Sequence, residues 1–149
     1  MAGTPRLGFL PDTSCVIAAL LDWHEHHEAA AREISSRLEA GERLVVAGPV
    51  LVESYSVLTR LPSRHRLTPK DALALLTANF FECSAVTLDT ASYRALLERA
   101  PAQAVAGGRT YDAVIAQCAI RAGVAHLLTF NERHFRGLTG DVKIVTPSV

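Results

Sequence analysis

A chain of 149 residues, 49% hydrophobic and 20% charged, has the composition of a globular protein and the length of one domain, 1–149, with a sizeable core. No run approaches the roughly 18 consecutive apolar residues that span a membrane, and "MAGTPRLGF" is too short in apolar residues for a secretory signal, so the expected location is cytoplasmic. Fifteen basic and fifteen acidic residues cancel, so a nucleic-acid partner has to be met by a local basic patch and not by overall charge.

In chain order, "LGFLPDTSCVIAALL" runs from a strand-like apolar stretch, 7–10, into a helix-like one, with a single carboxylate, Asp12, between them. A buried carboxylate needs a partner or a proton, and no basic residue stands nearby in sequence. "WHEHHE" follows at 23–28; His24 lies one helical turn from His27 or Glu28, but no closing zinc ligands are visible, and the stretch reads as a solvated helix start. The helix continues with Ala30, Ile34 and Leu38 at a spacing of four and ends at Gly41. A strand is predicted over 44–47, then a helix in "GPVLVESYSVLTRL" with Pro49 at its first turn. "RLPSRHR" gathers Arg60, Arg64, His65 and Arg66 just beyond, the one basic cluster able to lead phosphate toward a site; thirteen of the fifteen basic residues are arginine, suited to bidentate phosphate contacts.

"TPKDALALLTANF" opens on Thr68, Pro69 and Asp71, a capping-box-like start. A strand over 85–88, a helix in "DTASYRALLERA", a loop at "AGGRT", a helix in "RTYDAVIAQCAIRAG" closing at Gly123, and strands over 125–129 and 142–145 complete the chain. Such alternation predicts an α/β fold, a mostly parallel sheet of about five strands with helices on both faces. Cys15, Cys83 and Cys118 are odd in number and far apart, and read as small buried hydrophobes in a reducing compartment.

In open parallel sheets, ligands lie outside the carboxyl ends of the strands. Asp12 follows the first strand, Glu53 lies early in the helix after the second, Asp112 opens the helix before the fourth, and Asn131 follows that strand, so this topology can bring all four to one edge. Helical angles place Asp112 with Ile115, Ala116, Ala119 and Ile120, opposite Gln117 and Arg121, where a core residue is expected; Glu53 sits on a boundary. Taken singly, each acid has a structural role open to it: Asp12 as a helix N-cap, Glu53 or Asp112 at a helix N-terminus or an arginine. Together, converging acids repel unless a cation joins them, and hard oxygen donors suit magnesium or manganese.

"FLPDTSCV", "GPVLVESYSVLTRL", "GGRTYDAVIAQCAIRAG" and "LLTFNERHF" resemble, in order, the signature segments of PIN-domain proteins, and more narrowly of VapC-type toxins of toxin–antitoxin pairs. The resemblance implies a three-layer α/β/α sandwich, a metal-dependent endoribonuclease, a protein antitoxin as partner and a toxin homodimer. It puts the family's acidic positions on Asp12, Glu53 and Asp112 as metal-holding, catalytic residues, Glu53 directly or through water, with Asn131 where the fourth position is often aspartate. Thr13 and Ser14 match the hydroxyl positions after the first aspartate; Ser14 reads equally as a helix cap, and His134 as a packing or hydrogen-bonding residue of the edge loop. The expected activity is hydrolysis of RNA with Mg2+ or Mn2+, with Arg60, Arg64 and Arg66 as candidate RNA contacts. Two rivals stand beside it: a PIN module that binds RNA or a partner without cleaving, and a phosphatase with Asp12 as nucleophile, which would want an acid where Ser14 stands.

Overall fold

The computed structural model describes residues 7–149; the reading of "MAGTPRLGF" rests mainly on residues 1–6, outside the described residues. Five strands form one parallel sheet in the order β3-β2-β1-β4-β5: β1 Gly8–Pro11, β2 Arg43–Ala47, β3 Ser84–Val86, β4 His126–Leu128 and β5 Lys143–Val145. The helices are α1 Thr13–Leu20, α2 His27–Glu39, α3 Gly48–Thr59, α4 Pro69–Phe80, α5 Thr90–Arg99, α6 Arg109–Ala122 and α7 Glu132–Phe135. Each strand was legible in the sequence to within two residues at either end. The single turn α7 was not; "NERHF" carries no apolar period long enough to announce a helix.

Side-chain chemistry sets the boundaries. Thr68 accepts a hydrogen bond from the Asp71 amide at 3.1 Å with Pro69 behind it, and Asp89 caps α5 through the Ser92 amide at 2.8 Å. Helix α6 stops at Gly123, whose left-handed φ of 68° turns the chain back toward β4. The central strands carry consecutive buried residues, Phe9 and Leu10, Val45 and Val46, Leu127 and Leu128, as a sheet covered on both faces requires. The edge strands β3 and β5 are largely exposed or half-buried. Among the described residues no helix is long and apolar enough to cross a membrane.

The strand order locates the site. From β1 the chain steps to β2 and then β3 on one side, and next crosses to β4 on the other side of β1. Right-handed crossovers in opposite directions put their helices on opposite faces, which opens a crevice where β1 and β4 end.

Replacing Gly123 with alanine forces a β-carbon into the left-handed region at a cost of roughly 1–2 kcal/mol. The expected result is a lower urea midpoint with an unchanged m-value, read by equilibrium unfolding.

Candidate active site

Asp12 leaves β1 at that crevice and is 3% exposed. Its Oδ1 accepts from Ser14 Oγ at 2.6 Å and from the Cys15 amide at 3.0 Å, and its Oδ2 accepts from Thr129 Oγ1 at 2.6 Å. Ser14 Oγ also accepts from the Phe130 amide at 3.1 Å, and Thr129 Oγ1 from the Asn131 amide at 2.8 Å. Two hydroxyls thus staple the end of β1 to the end of β4. Burial pushes the Asp12 carboxyl above the usual carboxylate range, while these hydrogen bonds pull it back. No ion pair among the described residues includes Asp12. The carboxylate is therefore the N-cap of α1, as the plainer reading has it, and also a buried charge with no cation beside it.

A cavity of about 450 Å³ opens over Asp12, with Thr13, Ser14, Glu53, Asp112 and Asn131 among its lining residues. Glu53, exposed on the first turns of α3, accepts from Thr13 Oγ1 at 2.9 Å. Half-buried Asp112 is raised by its own burial; His134 opposes this, with Nδ1 3.4 Å from Asp112 Oδ2, and the charges of Asp12 and Glu53 raise it further. Asp112 thus feels the charges of Asp12 and Glu53 across the cavity they share. On α6, Ile115, Ala116 and Ala119 are buried on the side of Asp112 as expected, whereas Ile120 is 39% exposed, lying beside Gly140 and not under the sheet.

Among the described residues no three His, Cys, Asp or Glu side chains are grouped closely enough to hold a metal ion by themselves. What faces the cavity is a spread set of hard oxygens: the buried carboxylate of Asp12, the half-buried one of Asp112, the exposed ones of Glu53, tied to a threonine, and Glu25, and the amide of Asn131. That donor set fits a small cation that keeps several of its own waters, as magnesium does, and does not fit a closed tetrahedral zinc cage.

The basic cluster lies apart from the acids. None of Arg60, Arg64 and Arg66 lines the acidic cavity. Arg60 lines a neighbouring hollow that shares Glu53 and Ile115, Arg64 donates from Nε to His65 Nε2 at 3.1 Å, and Arg66 donates from Nε to the Leu61 carbonyl at 2.8 Å. The stretch 23–28 holds an open helix start, α2 beginning at His27 with all six residues exposed or half-buried, and its His24, Glu25 and His26 form a turn that also lines the acidic cavity. The sequence reading missed this placement because loops have no period. It also missed Thr129, whose signal was local: a hydroxyl on the last residue of an apolar strand, at the edge where Asp12 also emerges. Of the cysteines, Cys15 and Cys118 are buried and Cys83 is half-buried; all are free, and burial pushes the Cys118 thiol up to about 11 and Cys15 higher still.

The PIN domain family model matches residues 9–139. The chain belongs to the PIN-domain family. It is 41% identical over 139 residues to a protein of Mycobacterium tuberculosis named Ribonuclease VapC40, covering 91% of this chain and 98% of the relative. It is 38% identical over 109 residues to Ribonuclease VapC27 of the same organism, covering 72% of this chain and 74% of the relative. Among solved structures, VapBC2 from Rickettsia felis, bound to a DNA fragment from its promoter, matches with a TM-score of 0.69 at 14% identity, over 95% of this chain and all of the matched chain. The parallel five-stranded sheet flanked by helices is the α/β/α PIN fold.

The raised carboxyl of Asp12 has a pH signature in this PIN domain. A folded-state pKa above the unfolded value means that the native state binds the proton more tightly, so the penalty is absent at pH below both values and complete above the folded one. Asp12→Asn removes that penalty and keeps the cap, since asparagine caps as well as aspartate. With a chelator present, the Tm of Asp12→Asn relative to the parent should rise between pH 4 and pH 7, by about 2–4 °C for each kcal/mol relieved. A pH-independent offset in the melting curves would contradict this.

Proposed function

We propose that this PIN domain is a divalent-metal-dependent endoribonuclease, the toxin of a type II toxin–antitoxin pair, hydrolysing RNA phosphodiester bonds with Mg2+ or Mn2+. The observation that carries the reading is the buried Asp12 carboxylate without a cation partner, at the mouth of a cavity it shares with Asp112 and Glu53. The relatives named as ribonucleases support the reaction class.

In this reading Asp12 and Asp112 hold the cation, Glu53 does so directly or through water, and Asn131 completes the site. When bound, the cation would lower the pKa of a water and offset the charge of the phosphodiester. The chain's own part is orientation. Ser14 and Thr129 fix the two oxygens of Asp12, and Thr13 fixes Glu53, so the acids need little rearrangement when substrate arrives. Water contributes the oxygen that bonds to phosphorus and a proton to the departing ribose oxygen.

The likeness in fold to VapBC2 supports a protein antitoxin as partner, and we extend the proposal to a toxin homodimer. A phosphatase with Asp12 as nucleophile is disfavoured, because Ser14 stands where that chemistry wants a second acid, and it donates to Asp12 instead. One observation favours a non-cleaving module: Asn131 adds no charge to the site.

Incubating the protein with structured RNA, with manganese and with chelator, and mapping the cut ends decides between these. Cleavage is expected only with metal, and is expected to vanish in Asp12→Asn and Asp112→Asn. Manganese should raise the Tm of the parent protein and not of Asp12→Asn, because a ligand stabilises only the state it binds. Binding to RNA with no metal-dependent cuts would favour the non-cleaving module.

Adding the fourth acid, Asn131→Asp, supplies a charged ligand. Tighter manganese binding by calorimetric titration is the expected outcome; unchanged affinity would place Asn131 outside the metal's reach.

A further inference from the structure

Beside the acids runs a feature that the metal chemistry does not use. Trp23, the chain's sole tryptophan, is 46% exposed, and its ring stacks on His65 with centroids 3.9 Å apart and planes at 20°. His24 lies tilted to it, with centroids 6.2 Å apart, and His26 lies 5.7 Å from His24. His26 in turn stacks on Phe130, with centroids 4.5 Å apart and planes at 15°. His24, His26 and Phe130 line the acidic cavity. Five rings therefore form a continuous file from the basic loop, where Arg64 donates to His65, to the mouth above Asp12.

The file is held in place before any ligand arrives. The His26 amide donates to His24 Nδ1 at 3.0 Å, which orients that ring, and His27 Nδ1 lies 2.9 Å from the Ala18 carbonyl, anchoring the turn to α1. The Phe130 amide donates to Ser14 Oγ, so the last ring is tied to the same hydroxyl that orients Asp12. Preorganised rings, exposed at Trp23 and His26 and half-buried at His24, His65 and Phe130, beside arginine are what proteins present to unpaired bases, because every base has a face that stacks while duplex bases do not offer theirs.

We infer that this file of rings, with Trp23 as its most open member toward the basic loop, is a stacking platform that receives unpaired bases of RNA next to the phosphodiester held over Asp12. The inference rests on the ribonuclease reading and adds to it the side chains that would take up the unpaired bases, through their ring faces. Trp23 is here a specificity-determining residue, without contact to the reacting atoms.

Trp23 fluorescence tests this in the parent protein, with chelator present so that no strand is cut. A 12-nucleotide oligoadenylate should quench the emission at low salt, while an abasic strand of the same length and charge, and a 12-base-pair RNA duplex, should not. Equal quenching by the abasic strand, or none by oligoadenylate, would overturn the platform. In the manganese cleavage assay, Trp23→Ala should raise KM by about 5- to 150-fold, the range of one base–ring stack, with kcat kept; Trp23→Phe should restore most of the loss. Cleavage at parental kcat and KM by Trp23→Ala would overturn the platform and leave the ribonuclease reading standing. Oligoadenylate quenching without any cleavage would sink the ribonuclease reading and keep the platform as an RNA-binding surface.

Discussion

The charge of Asp12, buried at the end of the central strand with no cationic partner among the described residues, is the constraint that organises the rest. A carboxylate withdrawn from water costs several kcal/mol unless it is neutralised or well hydrogen-bonded. Here the compensation is partial. Three donors, from Ser14, Cys15 and Thr129, hold both oxygens, and burial still leaves the carboxyl raised. Neutral donors orient a charge without cancelling it. Placing Asp112 and Glu53 around the same cavity adds to the cost, since the charges of Asp12 and Glu53 both raise Asp112 further. A fold that needed Asp12 only as a helix cap would gain nothing from these neighbours, and could have carried an arginine there.

The network explains why the sheet order matters to chemistry. Thr129 follows the fourth strand and Asp12 the first, 117 positions apart in sequence, yet they meet at 2.6 Å because the chain crosses over β1 when it passes from β3 to β4. Any register slip of β4 against β1 would move Thr129 by one residue and turn its hydroxyl away. The hydrogen-bonded register, with Phe9 opposite His126 and Pro11 opposite Leu128, is thus also the device that sets the geometry of the site.

The sequence made much of this legible, and the physical reasons for success and failure differ. Strands and helices were readable because the core is covered on both faces, so buried runs such as Leu44 to Ala47 stand out against helical periods and capped ends. The convergence of Asp12, Glu53, Asp112 and Asn131 was readable because topology alone puts strand ends on one edge. The failures lie in the loops. Nothing periodic marks residues 23–26 as a turn that reaches the cavity, and charge alone does not show that Arg60, Arg64 and Arg66 stand outside its lining, with the Nε donors of Arg64 and Arg66 on their own loop. Ile120 failed for a related reason: helical angle predicts a face and not how far the covering sheet extends.

Chemistry and recognition are consequently built from different materials in this molecule. The acids and hydroxyls sit on strand ends and helix starts, where the backbone is most rigid and angstrom-level placement survives. The rings sit on the turn at 23–26, the loop at 60–66 and the β4 edge, where sequence can change without disturbing the core. Ser14 joins the two, since its hydroxyl donates to Asp12 and accepts from the backbone of Phe130. A base settling on the rings would therefore press on the same strand end that aims the catalytic carboxylate, which ties the choice of RNA to the positioning of the phosphodiester through a single hydroxyl group.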